Sequence, residues 1–312
     1  MDIPKTSLYF KRKLYDKYKY TGINVICEFI IKYLNSSHFE VITDINNNNN
    51  DIILSLYNKL ETEQECCKII MVYDIIYLYN EYARDDISQK KIIHDILSSV
   101  KKTDFLIFTS EYQRNKYLEV KKTYNYMVEE ENTTVLYLPF RNIDAARPLV
   151  NSKKYTFFIL IQHCKRKNPN LYIDYINNLK HLSFCIIISN QISKYKTNEY
   201  IKKYKYYENV TVFTNCTDVV MQQKMSESVY CLYLSDDEGT GLHAYECYVS
   251  DCIPIVKNNI VFNELFQDRI FYLENIYNIT ESCHYINYII KMELILDKYK
   301  KSGADILYDN HI

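Results

Sequence analysis

Tryptophan is absent from this 312-residue sequence, glycine occurs four times and proline five. So little glycine excludes the common phosphate loops: there is no Gly-x-x-x-x-Gly-Lys-Ser/Thr run and no Gly-x-Gly-x-x-Gly after the first apolar segment. A Gly-x-Ser-x-Gly elbow is missing as well, which removes the usual signature of a serine hydrolase. Nor is there an excess of charge of either sign. The 38 basic and 39 acidic residues leave a net charge of −1, so the overall field favours neither nucleic acid nor an anionic membrane. Any cationic site must be local. No apolar run approaches the ~18 residues that would cross a bilayer, and Met1 to Lys13 lacks a stretch fit for a signal peptide.

Cysteine is present but unpatterned. The ten cysteines form no Cys-x-x-Cys, and Cys185, Cys231 and Cys252 sit inside apolar runs, as small buried hydrophobes do in a reducing compartment. His243 has no second histidine at ligand spacing, so no metal site is expected. These absences predict a soluble, cytoplasmic protein without disulfides, with no transmembrane segment and with peripheral membrane contact and oligomeric state left open.

Tyrosine, by contrast, occurs 33 times, alongside many Ile, Asn and Lys and an Asn46–Asn50 run. All four residues have AT-rich codons, and the usage is like that of large DNA viruses; for such a source the compartment would be the host cytoplasm. The interleaved Lys and Tyr of Lys194–Tyr207 imitate a nucleic-acid stripe. With no net positive charge behind it, that stripe is read as codon bias, and no nucleic-acid partner is expected.

The length suits two domains of about 150 residues each, and 47% hydrophobic with 25% charged residues is the balance of a globular protein. Short β-rich apolar runs alternate with segments of helical period, the pattern of a parallel α/β sheet. The first half carries strands near Ser7–Phe10, Phe39–Thr43, Asp51–Ser55, Lys68–Tyr73, Phe105–Thr109 and Thr134–Leu138, with helices clearest at Gly22–Leu34 and Ile87–Val100. The pattern lapses at Pro139–Ser152, which sets the expected domains at 1–150 and 151–312. Beyond it come strands at Tyr155–Ile161, Phe184–Ser189, Val210–Phe213, Val229–Leu234 and Ile253–Val256. Helices fall at Pro169–Leu179, Thr217–Met225, Leu242–Tyr248 and, closing the chain, Ile276–Tyr299. Two such halves create a cleft, and parallel sheets bind ligands at the carboxyl ends of their strands.

The chemistry is concentrated after the strand Val229–Leu234. There the sequence reads Ser235-Asp236-Asp237-Glu238-Gly239-Thr240-Gly241-Leu242-His243-Ala244-Tyr245-Glu246, placing half of all the glycines within three residues. Glycine permits close backbone approach and φ > 0, and the amides of a new helix, at its positive dipole end, suit a phosphate. Glu246 lies about one turn into that helix and Glu238 on the loop opposite. The carboxylate pairs Asp85-Asp86 and Asp236-Asp237 are adjacent in sequence, point apart, and are read as solvated or capping.

This segment resembles the Glu-x7-Glu signature of retaining glycosyltransferases of the GT-B fold, family 4-like, whose usual form is Glu-Gly-x-Gly-Leu-x-x-x-Glu. Glu238, Gly239, Gly241, Leu242 and Glu246 fill its fixed positions. The resemblance continues through Asp251-Cys252-Ile253-Pro254-Ile255-Val256 to Asn263-Glu264-Leu265, which matches a family loop near the donor. Gln162-His163-Cys164-Lys165-Arg166-Lys167-Asn168 looks like the family's Arg-Lys-Asn loop. In the first half Thr21-Gly22-Ile23, Met71-Val72-Tyr73-Asp74 (Tyr73 standing where the family commonly has His) and Ser110-x-x-x-Arg114 are weaker matches. Ser110 is equally a helix N-cap.

The resemblance implies an α/β protein of two Rossmann-like domains, an acceptor-side domain and a nucleotide-sugar-binding one. It implies transfer of a sugar from a UDP- or GDP-sugar to a hydroxyl of a glycan, lipid or protein, with retention and with neither cofactor nor metal. Glu238, Arg166 and Lys167 would be the catalytic residues, Glu238 on the transferred sugar and the two cations on the departing diphosphate. Glu246 would hold the ribose. Gly239, Thr240, Gly241, Leu242, Thr214 and Glu264 would complete the donor site, and Gly22, Asp74 and Ser110 the acceptor side. Other readings stay open: a GT-B epimerase or phosphorylase, or a degenerate, non-catalytic homologue that binds glycan or protein.

Overall fold

The computed structural model describes residues 6–9, 39–42, 52–56, 67–80, 87–137, 153–190 and 192–301. The expected helix at Gly22–Leu34 and the boundary at Pro139–Ser152 lie outside these residues.

Among the described residues twelve strands make two six-stranded parallel sheets. The first contains β1 (Thr6–Tyr9), β2 (Phe39–Ile42), β3 (Ile52–Leu56), β4 (Cys67–Val72), β5 (Phe105–Phe108) and β6 (Thr133–Val135), in the order β2-β1-β3-β4-β5-β6. The second contains β7 (Tyr155–Ile161), β8 (Phe184–Ile188), β9 (Val210–Thr214), β10 (Ser228–Tyr233), β11 (Ile253–Lys257) and β12 (Phe271–Leu273), in the order β12-β11-β10-β7-β8-β9. Among the described residues the helices are α1 (Ile76–Tyr79), α2 (Ile87–Ser98), α3 (Glu111–Tyr124), α4 (Leu171–Asn178), α5 (Lys194–Tyr204), α6 (Asp218–Ser226), α7 (Leu242–Val249), α8 (Ile260–Phe266) and α9 (Ile279–Lys301).

The central strands of the second sheet are mostly apolar because both faces are covered, as a parallel sheet requires. Side chains alternate between the faces. Phe157, Ile159 and Ile161 of β7 join Phe184, Ile186 and Ile188 of β8 in a core closed by Tyr172 and Tyr175 of α4, Tyr204 of α5 and Ile286 of α9. The alternate residues Phe158, Cys185, Ile187 and Cys231 meet Met225 of α6, Ala244 and Cys247 of α7, and Phe262 and Phe266 of α8. In the first sheet Ile70, Val72, Leu106 and Phe108 pack with Ile93 and Leu97 of α2 and Tyr117 of α3.

Three segments depart from the sequence reading. Lys194–Tyr207, to which the sequence reading assigned no element, is mostly α5, capped by the Ser193 hydroxyl and anchored by buried Tyr200 and Tyr204. Asn263–Leu265 is not a loop but the body of α8, whose N-cap Asn259 accepts the Phe262 amide. The three-residue β12 goes unannounced in the sequence because so short a run carries no period.

The strand order places the site. In the second sheet the chain moves from β7 outward to β8 and β9, then returns to lay β10 on the other side of β7. The loops after β7 and β10 therefore part above a topological switch point, where open α/β sheets form a crevice.

Candidate active site

The loop after β7 makes a single tight turn over Lys165–Lys167, ended by Asn168 in the left-handed region at φ 49°. This turn holds Arg166 and Lys167 over the crevice, each only 8% exposed. The loop after β10 brings Glu238, 6% exposed, between them. The Arg166 Nη1 lies 3.2 Å from Glu238 Oε2, and the Lys167 ammonium bonds Glu238 Oε1 and the Tyr233 hydroxyl. Tyr233 donates in turn to Glu238 Oε1 at 3.0 Å and lies under the Lys167 charge, 4.8 Å from Nζ to ring centroid.

Burial would raise the Glu238 carboxyl, but the Lys167 and Arg166 charges overcome it and hold the group at about 2. Burial brings the Lys167 ammonium down to about 8, against the pull of Glu238 and with help from the adjacent Arg166 charge. Arg166 Nη1 also donates to the Asp237 carbonyl at 2.7 Å, while its Nε is buried with no hydrogen-bond partner. An orphaned guanidinium donor is costly unless something accepts from it.

The same loop reaches the carboxyl ends of β4 and β5 in the first sheet. The Ser110 hydroxyl donates to the Gly239 carbonyl at 3.2 Å while accepting the Gln113 amide as the N-cap of α3. Asn80 Nδ2 donates to Asp237 Oδ2 at 3.0 Å. Asp74 lies 3.9 Å from Arg166 Nη2 and accepts the Ile76 amide; burial outweighs both and raises its carboxyl to about 6. The Asp236-Asp237 pair is thus not solvated. Asp237 is 8% exposed and bonded across the cleft, and Asp236 holds Lys257, Asn168 and the Tyr277 hydroxyl.

The two glycines serve different ends, both against protein. A Cβ on Gly239 would meet Asp74 Cγ and the Tyr73 carbonyl at 2.9 Å, so its smallness lets the loop lie on the first sheet. Gly241 caps α7 at φ +59°, and a Cβ there would meet Phe262 Cε1 at 2.6 Å. Thr240 lies between them, and the Leu242 side chain packs on the first-half core.

Glu246 stands mid-helix in α7, with Oε2 3.7 Å from His243 Nδ1. Thr214 ends the edge strand β9. Glu264 projects from α8 onto the start of α3, accepting the Glu111 and Tyr112 amides at 2.7 and 3.0 Å. It fills the role of an acidic helix cap between the two halves. Arg114 turns away to Thr133, and Gly22 lies outside the described residues. Glu238, Arg166, Lys167, Gly239, Asp74 and Ser110 therefore meet in one place. Tyr233, Asn80 and Gln113 belong with them but were missed, since in a chain with 33 tyrosines a strand-end Tyr carries no signal.

Two parallel α/β sheets facing across a cleft, with their carboxyl strand ends opposed, define the GT-B fold. Solved structures agree. WaaG, a glycosyltransferase involved in lipopolysaccharide biosynthesis, superposes with a TM-score of 0.58 at 12% identity over 89% of this chain and 89% of its own. Anabaena HepE in complex with UDP gives 0.63 at 12% identity over 93% and 90%. TarM gives 0.58 at 17% over 87% of this chain, which spans only 52% of TarM. No family model and no curated protein matches the sequence. Among the described residues no helix is long and apolar enough to cross a membrane.

Proposed function

We propose that this protein transfers a glycosyl group from a nucleotide sugar to a hydroxyl acceptor, with retention at the anomeric carbon. The observation that carries the reading is the convergence of Arg166, Lys167 and Glu238 at the switch point, under the amino end of α7. A nucleoside diphosphate leaving group needs fixed positive charge, and a buried Arg/Lys pair supplies it without reorganisation. The orphaned Arg166 Nε is a donor still to be satisfied. First-turn amides of α7, without intrahelical partners, would add to the phosphate cradle. Glu238 would orient the sugar and Glu246 the ribose. Asp74 and Ser110, on the facing sheet, would border the acceptor. The solved structure of HepE with UDP supports a uridine nucleotide as the first donor to try.

A second reading has its own observation. The Glu238 carboxylate already pairs with both cations, an arrangement stable without any ligand and suited to a binding protein that has lost catalysis. One experiment separates the two: thermal unfolding of the full chain with UDP, GDP, ADP and their sugar conjugates. A ligand at 100 times Kd adds about 2.7 kcal/mol, and Glu246→Ala is expected to reduce that gain. A folded protein whose unfolding temperature none of these ligands moves would exclude the transferase.

A further inference from the structure

Where α7 packs on β10, three ligand atoms suited to a soft metal converge. Cys231 comes from β10, and His243 and Cys247 come from α7, where i and i+4 positions share one face. All three are buried, and their ligand atoms lie within 4.8 Å of one another, with Cys247 Sγ 4.0 Å from His243 Nε2. Ligand atoms around a tetrahedral zinc, at the usual bond lengths, stand roughly 3.5–4 Å apart. Contraction by about an ångström closes the sphere. A further buried thiol, Cys252, is a neighbour of Cys247 but stands outside the 4.8 Å group.

We infer that Cys231, His243 and Cys247 form a structural site for a thiophilic divalent cation, zinc, with Cys252 available as the fourth ligand. Two observations beyond proximity support it. The first is the other imidazole nitrogen: Nδ1 faces Glu246 Oε2 at 3.7 Å, the carboxylate–histidine arrangement that orients a metal-bound imidazole. The second is the setting. His243 is walled by the Phe158 and Tyr233 rings at 5.7 and 5.5 Å, where weak thiol donors are poor partners for a buried imidazole. A divalent ion with the Cys231 and Cys247 thiolates and a neutral imidazole carries no net charge, so burial costs it little. Binding then releases two thiol protons to solvent; Cys252 joining as a thiolate releases a third and brings the site to −1. The sequence hides this site because Cys231 lies twelve residues before His243, outside any familiar ligand spacing. Its consequence would be to fix the His243 ring and, through Nδ1, the Glu246 carboxylate.

The test does not depend on enzymatic activity. Full-length protein, purified reduced and passed over chelating resin, is analysed for metal, then stripped and titrated with Co(II). The expected result is about one zinc per chain, and a Co(II) form with thiolate charge-transfer bands and intense visible bands of tetrahedral geometry. Cys231→Ser and His243→Gln should lose or weaken those bands, whereas Cys185→Ala, in the same core but outside the cluster, should keep them. Folded wild-type protein that retains no metal and develops no thiolate–Co(II) band overturns the inference. So does bound metal indifferent to Cys231 and His243. The wild-type spectrum decides the matter even where a variant fails to fold.

Discussion

Glu238 and Asp74 lie on either side of Arg166, and their carboxyl groups are displaced in opposite directions. Removing one member of a buried ion cluster leaves the others uncompensated, so Glu238→Gln should cost about 3–5 kcal/mol in urea unfolding. Glu238 is held at about 2, below its ordinary 4.5. Its contribution is complete above pH 4.5 and is lost as pH falls toward 2. A pH series of unfolding free energies should show this acid slope in the wild type and a shallower one in the variant. Asp74 has the reverse sign. Its carboxyl is raised from 3.8 to about 6, so ionising it destabilises the fold progressively as pH rises through that range. Asp74→Asn should therefore match the wild type near pH 4 and exceed it in stability above pH 6. Equal stabilities at pH 7.5 would show that Asp74 is not strained by its burial. Neither displacement was legible in the sequence, which located both carboxylates and Arg166 but not that the two carboxylates share it.

At the scale of elements, the strand–loop–helix unit from β10 to α7 was legible almost to the residue, because a continuous apolar run followed by paired glycines has few other solutions. The reason for the glycines was not. Both were expected to make room for a ligand, and both make room for protein: Asp74 at Gly239 and Phe262 at Gly241. Their substitutions should then differ in kind. Gly241→Ala combines a positive φ with a 2.6 Å contact inside the second half, and should cost about 1–3 kcal/mol. Gly239→Ala, whose contacts are Asp74 and the Tyr73 carbonyl, should loosen the join between the halves. Amide hydrogen exchange can tell the two apart. Gly241→Ala should increase exchange in α7 and α8, and Gly239→Ala at the ends of β4 and β5. What the sequence missed at this scale, α5 and α8, was obscured by composition: Lys/Tyr alternation and a seven-residue helix both dilute the helical period.

For the whole molecule, the question is how two sheets, each with its own core, behave as one body. Among the described residues the links between them are mainly polar: Arg166 to Asp74, Ser110 to the Gly239 carbonyl, Gln113 to the Glu238 carbonyl, Asn80 and the Tyr112 hydroxyl to Asp237, and Glu264 to the first amides of α3. Among the described residues Leu242 adds an apolar contact from the second half to the first-half core cluster. A polar interface of this kind suits halves that open and close around a ligand. It also implies that their coupling is fragile. Losing the Glu264 cap should cost about 0.5–2 kcal/mol, and losing the Asn80 hydrogen bond about 0.5–1.5 kcal/mol, more where Asp237 is left unpaired. In the double variant Glu264→Ala, Asn80→Ala these losses fall on the junction and leave each core intact. The variant is expected to unfold in two calorimetric steps where the wild type unfolds in one, with most of the unfolding enthalpy retained. A ligand that bridges Arg166 and the facing sheet should bring the steps back together, since it restores the coupling that the substitutions removed. If the variant still unfolds in a single step, shifted only to lower temperature, the halves are joined by more than these contacts and the cleft is more rigid than its polar seam implies.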